Sequence, residues 1–267
     1  MTSPGPDRWA SGTSYDAFMG RWSRLVAPIF LDWLAVPPGR RWLDIGSGTG
    51  ALTQSIIDRC APASVVGVEP SAGFVAHATA NVDDDRATFR VGTADATGLP
   101  DASVDAAAAG LVLNFVPDVG AALAETHRVT APGGTAAAYV WDYADGMQLL
   151  RRFWDAVGVL DPDSGAADEG GRFPIAAPDP LRSAFRAAGF EAVETRGIVI
   201  PMVFASFDDY WGPLLGGAGP AGSYAVSRTE AERARLREHL RGSLPIAADG
   251  SIQLTARAWA VRGRRPE

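Results

Sequence analysis

The stretch RWLDIGSGTG, residues 41–50, constrains this chain more than any other. An apolar run carrying one acid, Asp44, passes into glycines at alternate positions, Gly46, Gly48 and Gly50, and then into the helical pattern ALTQSIIDRC. A strand that turns through glycine straight into a helix presents free backbone N–H groups and a positive helix end, and glycine lets a ligand approach the backbone closely. The turn reads as Gly-x-Gly-x-Gly, and with Ala51 it also satisfies Gly-x-Gly-x-x-Ala, a dinucleotide fingerprint.

The rhythm around the turn fixes the fold class. Short apolar runs alternate with amphipathic segments: RWLDIG, ALTQSIIDRC, SVVGVE, SAGFVAHATANV, ATFRVG, VDAAAAGLVL, VGAALAETHRVT and GGTAAAYVW, the last opened by the turn APGG. This predicts an α/β, doubly wound parallel sheet with crossover helices up to Trp141. Beyond it the spacing loosens. A helix, GMQLLRRFWDAVGVL, leads to a Gly/Asp-rich loop from Asp161 to Gly171 and a second helix, PDPLRSAFRAAGF. Two further strands, EAVETRGIVIPMVF and IQLTARAWAVRG, flank a long insertion holding FDDYW and a flexible GGAGPAG. Insertions near the carboxyl ends of strands build substrate pockets.

Composition removes several chemistries. All 24 basic residues are arginine, so a Gly-Lys-Ser/Thr phosphate loop, a pyridoxal Schiff base and a lysine base are absent. Against 31 acids the net charge is -7, and the arginine-rich RTEAERARLREHLRG mixes both signs at helical spacing, so no nucleic-acid partner is expected. The one cysteine, Cys60, excludes an intrachain disulfide and a multi-cysteine metal site, and is read as a buried structural thiol; no metal is expected. Neither a signal peptide nor a membrane-length apolar window is seen, so a cytoplasmic protein with no membrane partner is expected. Abundant Ala, Gly, Pro, Asp and Arg without lysine point to a bacterial source. The 267 residues are read as one domain, with a flexible 1–14 followed by 15–267.

Three acids discriminate between the ligands. Asp44 lies two residues before the first glycine, where a carboxylate serves a pyrophosphate poorly and an ammonium or sulfonium well. Glu69 closes the second strand in VVGVEPS, where a carboxylate accepts both hydroxyls of a ribose. Asp95, in GTADATGLP after the third strand, is placed to accept from an exocyclic adenine amine.

With these residues assembled, the sequence resembles the class I S-adenosylmethionine-dependent methyltransferases, in particular the small-molecule branch that includes quinone C-methyltransferases. LDIGSGTG, VEPS, GTADATGLP, SVDAAAAGLVLNFVPD and ETHRVTAPGG match its motifs in order, from Tyr15 to Trp141. The resemblance implies a Rossmann-like seven-stranded sheet whose last strand, IQLTARAWAVRG, runs antiparallel between the fifth and sixth. It also implies a lid helix at 15–36, a cofactor-binding core at 41–141, and substrate-cap insertions at 145–190 and 205–250. Carried over by position, the turn of Gly46, Ser47 and Gly48 meets the methionine part of S-adenosyl-L-methionine, Glu69 the ribose, Pro70 the adenine face, Asp95 and Ala96 the adenine edge, and Leu111 the amino acid end. Tyr15 and Arg21, in YDAFMGRWSR, close over the cofactor as a lid; docking of the same helix through Phe18, Trp22 and Leu25 is the other reading.

Methyl transfer from a sulfonium needs alignment in a dry pocket, and a base only where the acceptor must lose a proton. Relatives of this branch often carry a histidine in the loop after strand four; here Asn114 and Phe115 stand there, and His77, His127 and His239 read as surface or packing residues. Asp142 and Tyr143, in VWDY at the end of the fifth strand, are the candidate base pair, with Asn114 beside them as a catalytic candidate; Asp142 also reads as a turn-forming aspartate. Phe115, Trp141, Tyr210 and Trp211 are candidate pocket walls. The expected function is methyl transfer to a small, partly apolar metabolite with an N, O or C acceptor, leaving S-adenosyl-L-homocysteine. The alternatives are an NAD-dependent oxidoreductase, disfavoured by Asp44, Asp95 and the missing lysine, and a non-catalytic S-adenosylmethionine-binding protein.

Overall fold

The parallel pattern becomes a single seven-stranded sheet in the computed structural model, which describes residues 19–267. Its strands are β1 (Arg41–Ile45), β2 (Ser64–Glu69), β3 (Ala87–Val91), β4 (Val104–Gly110), β5 (Thr130–Trp141), β6 (Glu191–Phe204) and β7 (Ile252–Arg264), in the order β3-β2-β1-β4-β5-β7-β6. β1 pairs parallel with β2 and β4, β2 with β3, and β4 with β5, while β7 lies antiparallel against β5, as the resemblance implies. The order reverses between β1 and β4, so the crevice beyond their carboxyl ends is the switch point where this architecture binds ligands.

β4 places four successive alanines, Ala106 to Ala109, in the buried centre of the sheet. Their helix propensity is overridden by pairing on both sides, and their small side chains suit a strand covered on both faces. Gly110 is the last residue of the strand, and a Cβ there would meet the Tyr139 hydroxyl at 2.7 Å, so the close approach requires glycine. The turn expected at APGG is absorbed into β5, which begins at Thr130 with a register shift opposite Val104 and Ala106.

The helices are α1 (Arg21–Leu34), α2 (Ala51–Cys60), α3 (Ala72–Asn81), α4 (Val119–Val129), α5 (Gln148–Leu160), α6 (Glu169–Arg172), α7 (Pro178–Ala187), α8 (Phe207–Trp211), α9 (Gly219–Ser227) and α10 (Glu230–Ser243). The chain divides into two units. One comprises Ser23–Trp141, Pro174–Ile198 and Ala258–Glu267 and holds most of the sheet; within it Phe30 of α1 packs its ring 4.7 Å from that of Tyr139, and α7 packs on α4. α7 therefore belongs with the sheet, although it falls inside the stretch 145–190 that the sequence suggests as cap.

The other unit comprises 19–22, Asp142–Phe173 and Val199–Arg257. Here two segments read as loops are helical. Asp161–Gly171 folds as a 3-10 turn, Pro162–Ala167, followed by α6. GGAGPAG ends one 3-10 turn, Gly212–Gly216, and begins α9, whose buried Gly219, Ala221, Gly222 and Ala225 let it pack closely. The amino end of α9 is closed by Glu169, which accepts from the Ala221 N–H at 3.4 Å and from the Trp154 indole. Burial pushes the Glu169 carboxyl up to about 7. α10 starts with a capping box between Thr229 and Glu232, as its sequence suggests. Cys60 is half-buried at the end of α2 instead of fully buried, since that helix end lies against the surface. No helix among the described residues is long and apolar enough to cross a membrane.

Candidate functional site

β1 carries Asp44 into the interior at the carboxyl end of the sheet, 1% exposed. The Thr53 hydroxyl, from the first turn of α2, donates to Oδ2 at 2.7 Å, and Oδ1 is buried without a hydrogen-bond partner among the described residues. Burial pushes this carboxyl up to about 7; the Thr53 hydrogen bond opposes the shift, and the charge of Glu69 adds to it.

The glycine turn follows. Gly46 has φ +66°, and its N–H and that of Ser47 both donate to the Val68 carbonyl, at 2.7 and 3.1 Å. A Cβ on Gly46 would lie 2.5 Å from a Val112 methyl, and one on Gly50, at φ +89°, 2.8 Å from a Val82 methyl. Gly48 differs: at φ +52° its nearest neighbour would be the Gly46 carbonyl at 4.0 Å, so the backbone here lies open to a ligand. The Gly48 N–H donates to Glu69 Oε2 at 3.2 Å, and Ser71 N–H to Glu69 Oε1 at 3.0 Å. Asp44, Gly46, Ser47, Gly48 and Glu69 are thus joined across the ends of β1 and β2, with the Ser47 hydroxyl also buried and without a partner among the described residues.

Around this centre, Pro70, Asp95 and Ala96 are exposed at the rim. Ala96 exchanges backbone hydrogen bonds with Thr93, and the loop is anchored one residue later: Thr97 donates its N–H and hydroxyl to Glu125 Oε1 at 2.9 and 2.6 Å. Arg128 binds the other side of Glu125 and holds that carboxyl down at about 2. Glu125 and Arg128 are functional-site supports not among the sequence candidates, although their i,i+3 spacing in ETHR is a pairing signal. At the end of β4, Leu111 takes φ +61°, a conformation uncommon for a leucine, while its N–H donates to the Tyr139 carbonyl at 2.8 Å. The 3-10 turn Leu113–Phe115 then buries Asn114, both of whose amide atoms lack partners among the described residues, and leaves Phe115 partly exposed. Trp141 closes β5, buried, its indole N–H unpartnered among the described residues. His127 is half-buried with its ring 5.2 Å from that of Phe190, and burial with the nearby Arg265 pulls its pKa down.

The remaining sequence candidates fall in the other unit. Asp142 is buried and ion-paired: Arg257 donates from Nε to Oδ2 at 2.7 Å, and the Asp145 N–H donates to Oδ1 at 3.1 Å. Its geometry is that of the turn-forming aspartate, with both oxygens engaged. Tyr143 packs its ring, tilted, 5.2 Å from that of Phe173. Tyr210 is fully buried, donates its hydroxyl to the Leu149 carbonyl at 3.0 Å and lies among Phe204 and Phe207. Trp211 is stacked on Phe207. Arg21 pairs with Asp209 at 2.9 Å and lies over the rings of Trp22 and Phe204. Tyr15 lies outside the described residues.

A family model described as a methyltransferase domain matches residues 43–138, from β1 to β5. The chain is 32% identical over 164 residues to an arsenite methyltransferase of Halobacterium salinarum, covering 60% of this chain and 39% of that protein. It is 36% identical over 121 residues to a demethylmenaquinone methyltransferase of Roseiflexus castenholzii, covering 45% of this chain and 50% of the relative. The match thus spans half or less of each relative's length. Among solved structures, the Haemonchus contortus phosphoethanolamine N-methyltransferase 2, in complex with phosphomonomethylethanolamine and S-adenosylhomocysteine, superimposes with a TM-score of 0.59 at 16% identity, covering 96% of this chain and 57% of that one; this likeness bears on the fold. The matched segment holds the glycine turn, Asp44 and Glu69 on a sheet of the expected order, so residues 43–138 are similar in sequence to a methyltransferase domain and the fold is that of solved methyltransferases.

Proposed function

We propose that this protein transfers a methyl group from S-adenosyl-L-methionine to a small, partly apolar metabolite. The observation that carries the reading is the buried, unpartnered Oδ1 of Asp44 beneath an open glycine turn, with the Glu69 carboxylate bonded to the same turn. An acid directly before the turn serves a dinucleotide's pyrophosphate poorly and attracts a cation, so Asp44 fits a cationic nucleoside and weighs against the oxidoreductase reading, while Glu69 suits the ribose of either cofactor. Bound, S-adenosyl-L-methionine supplies an electrophilic methyl carbon on a sulfonium that departs as a neutral thioether.

In this reading Asp44 takes the cationic amino end, the open backbone at Gly48 and the strained Leu111 border it, Glu69 holds the ribose, and Asp95 with Ala96 faces the adenine edge. The Asn114 amide carries a donor and an acceptor without partners, and it orients the polar part of the acceptor. No step through Asp142 is required, because a carboxylate held by Arg257 in a turn is a poor free base. The acceptor is then one that is nucleophilic without deprotonation by the protein, such as a neutral amine. A soft metalloid acceptor, suggested by the arsenite relative, is disfavoured because a single half-buried cysteine supplies no thiolate set.

Calorimetry with S-adenosylhomocysteine and with NADH tests the cofactor: micromolar binding of the first and none of the second is expected, and the reverse outcome sinks the reading. Transfer of labelled methyl across a library of amines, phenols and quinols then identifies the acceptor class.

A further inference from the structure

Resting on the cofactor reading above, one buried contact goes further than it. Thr53, fully buried in the first turn of α2, is nine residues from Asp44 in sequence and points its hydroxyl at one carboxylate oxygen only, Oδ2, at 2.7 Å. The other oxygen, Oδ1, is closed off from solvent and has no partner among the described residues. A buried carboxylate with one bonded and one vacant oxygen is directional: Oδ1, with no donor on it, is the oxygen most in need of a partner and the one a cation meets without competing with the hydroxyl.

We propose that Thr53 is a positioning residue of the cofactor site, fixing Asp44 so that Oδ1 alone receives the cationic amino group of the cofactor, and that Asp44 gives up a proton to solvent when it does so. The proton balance is simple. Before binding, the buried Asp44 carries a carboxyl proton for a large share of the molecules near neutral pH; on binding, the O–H bond breaks, the proton passes to the buffer, and the resulting carboxylate pairs with the ligand's cation. The burial that holds the Asp44 pKa up to about 7 is the physical source of this linkage.

The charged groups around Asp44 agree with this. β2 brings Glu69, whose negative charge favours the protonated form. β4 brings Asp105 at the opposite end of the strand, where it is bound by Arg41. α2 brings Thr53, and its Asp58 and Arg59 lie at its far end, Arg59 paired to Asp32. No arginine among these pairs neutralises Asp44, so the incoming ligand is its countercharge. Thr53 stabilises the ionised form, so it also sets the pH at which the site becomes competent.

The experiment is calorimetric binding of S-adenosylhomocysteine to the full chain between pH 5.5 and 8.5, in buffers of different ionisation enthalpy. The wild type is expected to release a sizeable fraction of one proton per ligand near pH 6.5 and to bind more tightly as pH rises through 7. Thr53→Val, which keeps the shape and removes the donor, should weaken binding at pH 7 by about ten- to a hundredfold and move the affinity rise upward by about one pH unit, the scale of a hydrogen bond to a charged group. Thr53→Ser should restore most of both. A Thr53→Val affinity and pH profile equal to wild type overturns the proposal, and so does wild-type binding without proton release across the range, a measurement that needs no variant to fold. A wild type that binds no S-adenosylhomocysteine at any pH overturns the cofactor reading itself and this inference with it.

Discussion

Gly46→Ala tests the turn at its tightest point. At φ +66° an alanine is strained by roughly 1–2 kcal/mol, because its Cβ crowds the following carbonyl. That Cβ would also lie 2.5 and 2.7 Å from the two Val112 methyls, and overpacking of this kind adds about 1–3 kcal/mol. The expected loss is therefore roughly 2–5 kcal/mol, a large fraction of the stability of an ordinary domain. Urea unfolding of four proteins separates the two terms. Val112→Ala removes the methyls of a half-buried residue for about 1 kcal/mol, and in the double variant the two methyl clashes disappear, leaving a Cβ–Cβ contact of 3.2 Å, while the φ strain stays. The double variant should thus be more stable than the sum of the singles predicts by about 1–3 kcal/mol. Gly48→Ala is the control: its Cβ meets nothing nearer than 4.0 Å, so it should unfold within about 1–2 kcal/mol of wild type while losing most affinity for S-adenosylhomocysteine. A Gly46→Ala protein as stable as wild type, or strict additivity with Val112→Ala, would refute the geometry argued for this turn.

Glu69→Ala removes the acceptor of the Gly48 and Ser71 N–H groups and should weaken S-adenosylhomocysteine by roughly 1.5–3 kcal/mol, against about 1 kcal/mol for Asp95→Ala at the exposed rim, as read by calorimetry. The opposite ranking would reverse the ribose and adenine ends. Asp142→Asn breaks a pair whose arginine is partly exposed, so a stability loss of about 1–3 kcal/mol is expected with kcat within roughly tenfold of wild type; a hundredfold fall in kcat with the fold intact returns Asp142 to the role of base. His127→Ala should leave turnover almost unchanged in the same assay. Burial raises both Asp44 and Glu169 to about 7, above their ordinary carboxylate values, so the stability they contribute is present below about pH 4 and is lost as pH rises to about 7. Unfolding free energy should fall across that window, by on the order of 3–4 kcal/mol per group, and Asp44→Asn or Glu169→Gln should each flatten part of the slope; a rise with pH in this window would contradict the burial of these groups.

The central sheet was legible because its signals are local. Each of β1 to β5 is an apolar run bounded by a turn signal, and the helices between them keep a 3.6-residue period. Even the antiparallel insertion of β7 came through, but by resemblance, since nothing in IQLTARAWAVRG itself states its direction or neighbours. The same locality explains the errors beyond Trp141. GGAGPAG has the composition of a flexible linker, yet Gly219 to Ser227 is a helix because close packing there demands small residues and because Glu169, 52 residues earlier in the chain, closes its amino end. Composition gave the intrinsic preference, and tertiary contact overrode it.

The site divides along the same line. Asp44, the glycines and Glu69 lie within one strand-turn-helix-strand unit, so their spacing already places them together. The chemistry of a carboxylate, however, depends on what faces it, and that partner is often remote. Asp142 reads as a base in VWDY until Arg257, 115 residues away, is found to hold it. Arg21 reads as a lid residue, and its partner Asp209 is 188 residues distant. Both long-range pairs occupy their acids with arginines of this chain, whereas the buried Oδ1 of Asp44 has no partner among the described residues. A desolvated acid without a countercharge is destabilising unless a ligand provides one, so the weakest point in the polar accounting of the sheet is also its strongest indication of where a cation binds.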